Sequence, residues 1–144
     1  MNNIALEVKN LSVQFHLRGK IVKAVNNLSW RLEKGNTLGI VGESGCGKSV
    51  SSLAILKLIP EPPGKISSGS IIYNGEDIVK VSDRKIRDIR GKKISMIFQE
   101  PMTSLNPVYT CGNQVVEAIK LHQKGGVNAK EKALQLFREV KLSR

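Results

Sequence analysis

The chain has 144 residues, of which 40% are apolar and 24% charged, and a formal net charge of +11. That is enough for one compact domain with its own core, and the composition is that of a soluble globular protein. The longest apolar run, Leu53 to Ile59, is broken by Lys57, so no segment approaches the roughly 18 residues a membrane-spanning helix needs.

Residues 1–7 carry neither a basic nor an extended apolar stretch, so no secretory leader is expected. From Ile4 the pattern is period two: Ile4, Leu6 and Val8, then Leu11, Val13 and Phe15, then Leu28, Trp30 and Leu32. Short alternating runs predict half-buried strands, here antiparallel, with a turn near Arg18-Gly19-Lys20. Thr37 to Val41 is a continuous apolar run and predicts a strand buried on both faces. Past Lys48 the period becomes helical at Val50, Leu53, Ala54 and Leu58, with Pro60 as the stop. Pro60-Glu61-Pro62-Pro63-Gly64 through Ser67-Ser68-Gly69 reads as a loop. Ser70 to Tyr73 predicts a strand, Asn74-Gly75 a turn, and Ser82-Asp83 the cap of a short helix ending at Arg90. Lys93 to Phe98 predicts another strand. Cys111 opens a helix, and Ala133, Leu136, Phe137 and Val140 form one face of a last one, after a break at Gly125-Gly126.

Between the apolar run and the first helix lies Gly42-Glu43-Ser44-Gly45-Cys46-Gly47-Lys48-Ser49. It matches the phosphate-loop pattern G-x-x-x-x-G-K-[ST] at every fixed position. A polyphosphate needs many N–H donors aimed at one small volume, and side chains would crowd that approach. Glycines at 42, 45 and 47 let the backbone curl around it. Lys48 then reaches the β/γ-phosphate oxygens, Ser49 ligates Mg²⁺, and the following helix directs its N-terminus at the anion. Glu43, Ser44, Cys46 and Val50 complete the loop that contacts the nucleotide. Nucleoside triphosphate binding is expected.

A second stretch, Lys92-Lys93-Ile94-Ser95-Met96-Ile97-Phe98-Gln99-Glu100-Pro101-Met102-Thr103-Ser104-Leu105-Asn106-Pro107, resembles the Q-loop region of ABC-transporter ATPase subunits. The wording Phe-Gln-Glu-Pro-Met-Thr-Ser-Leu-Asn-Pro is similar to the dipeptide/oligopeptide (and nickel) importer branch. The loop context Val41 to Ser51 resembles the same branch, and Val50-Ser51 looks like the first of its two paired ATPase subunits. The resemblance implies an α/β fold: a P-loop NTPase core, incomplete here, with an antiparallel β subdomain and the start of a helical subdomain. It divides the chain into residues 1–110, up to the Q-loop, and 111–144. It implies ATP and Mg²⁺ as cofactors, Lys48 and Gln99 as catalytic residues, Ser49 and Gln99 as Mg²⁺ contacts, and Phe15 as the aromatic that stacks on adenine. An uncharged amide at Gln99 ligates Mg²⁺ or holds water without adding a buried charge. The implied partners are membrane-spanning permease subunits and a second ATPase subunit, at the cytoplasmic face of the cell membrane.

Other family parts are not found. No run of four apolar residues is followed by Asp-Glu, there is no Leu-Ser-Gly-Gly-Gln, and no switch histidine follows. The resemblance places these downstream of residue 144, so the chain reads as the N-terminal part of such a subunit. Phosphoryl transfer needs those parts together. Glu100 is no substitute base, because consecutive side chains on an extended segment point to opposite sides.

Cys46 and Cys111 make no disulfide framework and suit a reducing compartment; Cys46 reads as a spectator, Cys111 and Trp30 as packing residues. His16 and His122 have no ligand partners at metal spacing. Lys80 to Lys93 and Lys120 to Arg144 are both strongly basic. With no interleaved aromatics, a solvated face is favoured and no nucleic-acid partner is expected. The rival functions are a non-transport ABC ATPase, which the Glu100 to Pro107 wording disfavours, and a non-catalytic basic module for nucleic acid or lipid.

Overall fold

The computed structural model describes residues 3–100, 104–123 and 128–142. Two compact units divide the chain, Met1–Arg90 and Gly91–Arg144. The first is built on a sheet of four antiparallel strands: β1 (Ile4–Leu17), β2 (Lys20–Glu33), β3 (Gly64–Tyr73) and β4 (Glu76–Asp77), in the order β2-β1-β3-β4. The β1–β2 turn falls at Arg18-Gly19, and the β3–β4 turn at Asn74-Gly75. Asn74 and Gly75 both have positive φ, 49° and 82°, the conformation a tight two-residue hairpin turn demands.

Val8 and Leu11 are three residues apart, yet both are almost wholly buried (1% and 0% exposed). A bulge reconciles them. Asn10 adopts φ 48°, and β1 shifts register around it against both β2 and β3. Ser29 Oγ accepts from the Asn10 N–H at 2.8 Å and donates to Asn10 Oδ1 at 3.0 Å. Gly69 lies opposite, where a Cβ would come within 2.6 Å of Leu11 Cα and the Lys9 carbonyl oxygen. A further shift, on β2, leaves Ala24 as an extra residue: neighbours Val13 and Gln14 of β1 pair with Val25 and Lys23.

Helix α1 (Lys48–Ile55) lies against β1 and β2. It ends before Pro60 is reached. Lys57 takes φ 48°, and the Leu58 and Lys57 N–H groups close back onto the Leu53 and Ala54 carbonyls at 2.9 and 3.0 Å, a Schellman ending. Arg90 satisfies two further carbonyls of this end, those of Leu56 and Lys57, at 2.7 and 2.6 Å. A 3₁₀ turn (Ile78–Lys80) and helix α2 (Asp83–Ile89) follow β4; Ser82 caps α2 by accepting from the Lys85 N–H at 3.4 Å. Ile78, Ile86 and Ile89 are buried.

In the second unit, α3 (Cys111–His122) is capped by Thr110 and α4 (Ala129–Glu139) by Asn128. Ile119, Ala129 and Ala133 form its core, with Val115, Val116 and Leu136 against it. The expected face of α4 is half realised: Ala133 is buried, Leu136 and Phe137 are partly so, and Val140 is exposed. The break at Gly125-Gly126 lies outside the described residues.

Four expectations are corrected. Residues 37–41 form no strand, and Val41 is 94% exposed. Residues 93–98 make only an isolated bridge at Ile94, and Ile97 is 96% exposed. A strand buried on both faces requires neighbouring strands on both sides, and no strand among the described residues pairs with either segment. Residues 64–69, read as loop, belong to β3, because pairing with Phe15, Gln14, Val13 and Ser12 of β1 overrides their Gly/Ser composition. Cys111 is exposed rather than packed. Trp30 is half-buried, with an indole N–H that finds no acceptor among the described residues.

Candidate nucleotide site

Residues 42–47 run from the exposed segment 37–41 into the N-terminus of α1. Gly45 and Gly47 have φ of 82° and 95°, a region open to glycine at little cost. Gly47 is the α1 N-cap, and no side chain satisfies the first N–H groups of the helix; no acidic residue stands in its first turn. Helices usually place Ser, Thr, Asp or Asn at that point to satisfy those donors. Here the cap residue has no side chain to occupy those donors, an arrangement suited to an anion.

Gly47 also fixes the loop against the sheet. A Cβ there would collide with the Ala24 carbonyl oxygen of β2 and lie 3.2 Å from Val25 Cγ2. The half-buried Lys48 folds back across the loop. Its Nζ donates to the carbonyl oxygens of Gly42 at 2.6 Å and Glu43 at 2.7 Å, with Cys46 Sγ at 3.5 Å. These acceptors are uncharged or weak, so a phosphate oxygen competes well for the same ammonium. Beneath the loop, buried Ser51 (2% exposed) donates from Oγ to the Lys48 carbonyl at 2.7 Å, and its N–H donates to the Gly47 carbonyl at 2.8 Å. Those bonds hold the first turn rigid. A cleft of about 460 Å³ opens beside the loop, lined on one wall by Gly45 to Lys48 and on the other by Lys23, Ala24 and Asn26 of β2.

The remaining sequence-predicted residues are placed as follows. Ser49 and Glu43 are exposed, as are Gly42 and Ser44, while Val50 is half-buried in α1. Phe15 is half-buried in β1, between Val22 and Gly64, and does not line the cleft. Gln99 is exposed in the second unit. Among the described residues no group of three His, Cys, Asp or Glu could hold a metal ion, and no helix is long and apolar enough to cross a membrane.

The ABC transporter family pattern matches residues 25–144, which spans the loop, α1 and everything after it. The chain belongs to the ABC transporter family. It is 48% identical over 136 residues to the oligopeptide transport ATP-binding protein OppD of Bacillus subtilis, covering 94% of this chain and 38% of that relative. It is 45% identical over 136 residues to the dipeptide transport ATP-binding protein DppD of Escherichia coli, covering 94% and 41%. A probable peptide ABC transporter ATP-binding protein of Sinorhizobium fredii, y4tR, is 41% identical over 142 residues, covering 98% and 42%. The chain thus spans about two-fifths of these relatives. The fold resembles that of the ATP-binding cassette MJ0796, solved as a dimer in a post-hydrolysis state bound to ADP and Pi. The TM-score is 0.81 at 22% identity, covering 96% of this chain and 58% of that one.

For this family member, the phosphate loop and the helix behind it were legible in the sequence. The β2 wall of the cleft was not. Lys23, Ala24 and Asn26 sit in Ile21-Val22-Lys23-Ala24-Val25-Asn26-Asn27, where no clean alternation survives, and that loss of period is the one trace the bulge leaves.

Proposed function

We propose that this chain is the N-terminal part of an ATP-binding subunit of an ABC importer for di- or oligopeptides. The observation that carries the nucleotide reading is the Lys48 ammonium, held at a glycine-capped helix N-terminus by uncharged acceptors that a phosphate displaces. The peptide reading rests on the names of the relatives and on the Phe98 to Pro107 wording.

On this reading the loop amides and Lys48 take the β- and γ-phosphates, and Ser49 contributes its hydroxyl to Mg²⁺. The residues fit such an ion: Ser49 is exposed at the start of α1. Ser49 would help hold Mg²⁺, which would supply neutralisation of the phosphate charge. Gln99 is proposed as a second Mg²⁺ or water contact, and Phe15 as the stacking surface for adenine. In the whole subunit, ATP binding and hydrolysis would be coupled to uptake through membrane-spanning permease subunits and a second ATPase subunit at the cytoplasmic face.

The test is calorimetry with MgATP. Charge-assisted contacts contribute roughly 1.5–3 kcal/mol each, so Lys48→Ala should weaken ATP by at least about tenfold. Equal affinity in wild-type and variant protein, both folded, would remove the nucleotide reading.

A further inference from the structure

The phosphate loop explains one wall of the cleft; the β2 wall has no role in that motif. Its delivery is specific. Because Ala24 is an extra residue opposite β1, β2 bulges there, and bulges re-aim side chains next to functional sites. The Ala24 carbonyl oxygen rests against Gly47, which sets how closely β2 approaches the loop. Lys23, the residue before the bulge, is exposed and lines the cleft that Lys48 lines.

The cleft lining carries Lys23 and Lys48 and no Asp or Glu, and the sequence around Lys23 is one-sided in charge. From residue 8 to residue 32 there is no Asp or Glu, while Lys9, Arg18, Lys20, Lys23 and Arg31 all lie there. Ion pairs among the described residues engage Lys9, Lys80 and Lys85, and Lys23 meets no carboxylate among them. A nucleoside triphosphate carries more negative charge than one lysine neutralises. A second cation across the cleft answers that excess.

We propose that Lys23 is a second cationic contact for the bound nucleotide, reaching its phosphate chain from the β2 wall of the cleft. This rests on the nucleotide reading of the phosphate loop. As an exposed contact it is screened by salt and modest in strength, and it acts on affinity rather than on the fold.

The experiment is MgATP titration of the 144-residue chain at low salt and at about 0.5 M salt, for wild type, Lys23→Gln, Lys23→Arg and Lys48→Ala. Lys23→Gln should weaken ATP about fivefold at low salt, and the deficit should shrink at high salt. Lys23→Arg should keep the affinity. A loss in Lys23→Gln that ignores salt, or that Lys23→Arg shares, marks a packing effect and overturns the proposal. Unchanged affinity in Lys23→Gln, with Lys48→Ala impaired, also overturns it and leaves the loop reading standing. Unchanged affinity in Lys48→Ala removes the loop reading and this proposal together.

Discussion

Replacing Gly47 by Ala separates two costs that a glycine-rich loop normally confounds. Gly45 and Gly47 both have positive φ, 82° and 95°, so an L side chain at either costs roughly 1–2 kcal/mol of backbone strain. Around Gly45 nothing lies within 4 Å of the added Cβ, whereas at Gly47 it would overlap the Ala24 carbonyl oxygen and press on Val25 Cγ2 at 3.2 Å. That backbone oxygen sits between Lys23 and Val25, both paired with β1, which limits how far it can retreat. Overpacking of this kind adds about 1–3 kcal/mol. Gly47→Ala should therefore cost about 2–5 kcal/mol, a large share of a folding stability on the order of 5–15 kcal/mol. Gly45→Ala should cost about 1–2 kcal/mol. Trp30, the single tryptophan, sits on β2 in the same unit as the loop, so its fluorescence reports the relevant transition in urea. With a urea slope of roughly 1–3 kcal/mol per M, the Gly47→Ala midpoint should fall below that of Gly45→Ala by about 1 M. Equal midpoints would refute the packing of the loop against β2.

Two further outcomes follow from the site. Phe15→Ala should weaken ATP more than inorganic triphosphate, since a stacked base contributes about 1–3 kcal/mol; equal losses in titrations with both ligands would make Phe15 a packing residue between Val22 and Gly64. On the proposed reading, residues 1–144 alone should bind MgATP without steady turnover: Glu43, the carboxylate inside the loop, is exposed and offers its backbone carbonyl, not its side chain, to Lys48. Phosphate release that disappears in Lys48→Ala would contradict that view.

Where local chemistry decides a structure, the sequence was readable. Arg18-Gly19 and Asn74-Gly75 turn because their residues tolerate the required φ, and Ser82 caps because its hydroxyl reaches the Lys85 N–H. The phosphate loop was readable for the same reason: each fixed position answers a local demand of backbone or charge. Where partners decide, reading failed. Leu38, Ile40 and Val41 state a demand for burial, but a strand exists only when another strand pairs with it, and none among the described residues does. The reverse holds for Ser67-Ser68-Gly69. Their composition suggests a loop, yet the Asn10 bulge of β1 needs a residue without a side chain opposite it, and Gly69 supplies one. The β2 wall of the cleft was hidden because a bulge is a relation between two strands.

The most direct test of a nucleotide seated between the phosphate loop and β2 is the amide NMR spectrum of the chain titrated with MgATP. Bound phosphates should move the N–H signals of Gly42 to Ser51, in the loop and the first turn of α1, and those of Lys23 to Asn26 across the cleft. Shifts confined to other residues, or none at saturating ATP, would contradict the account.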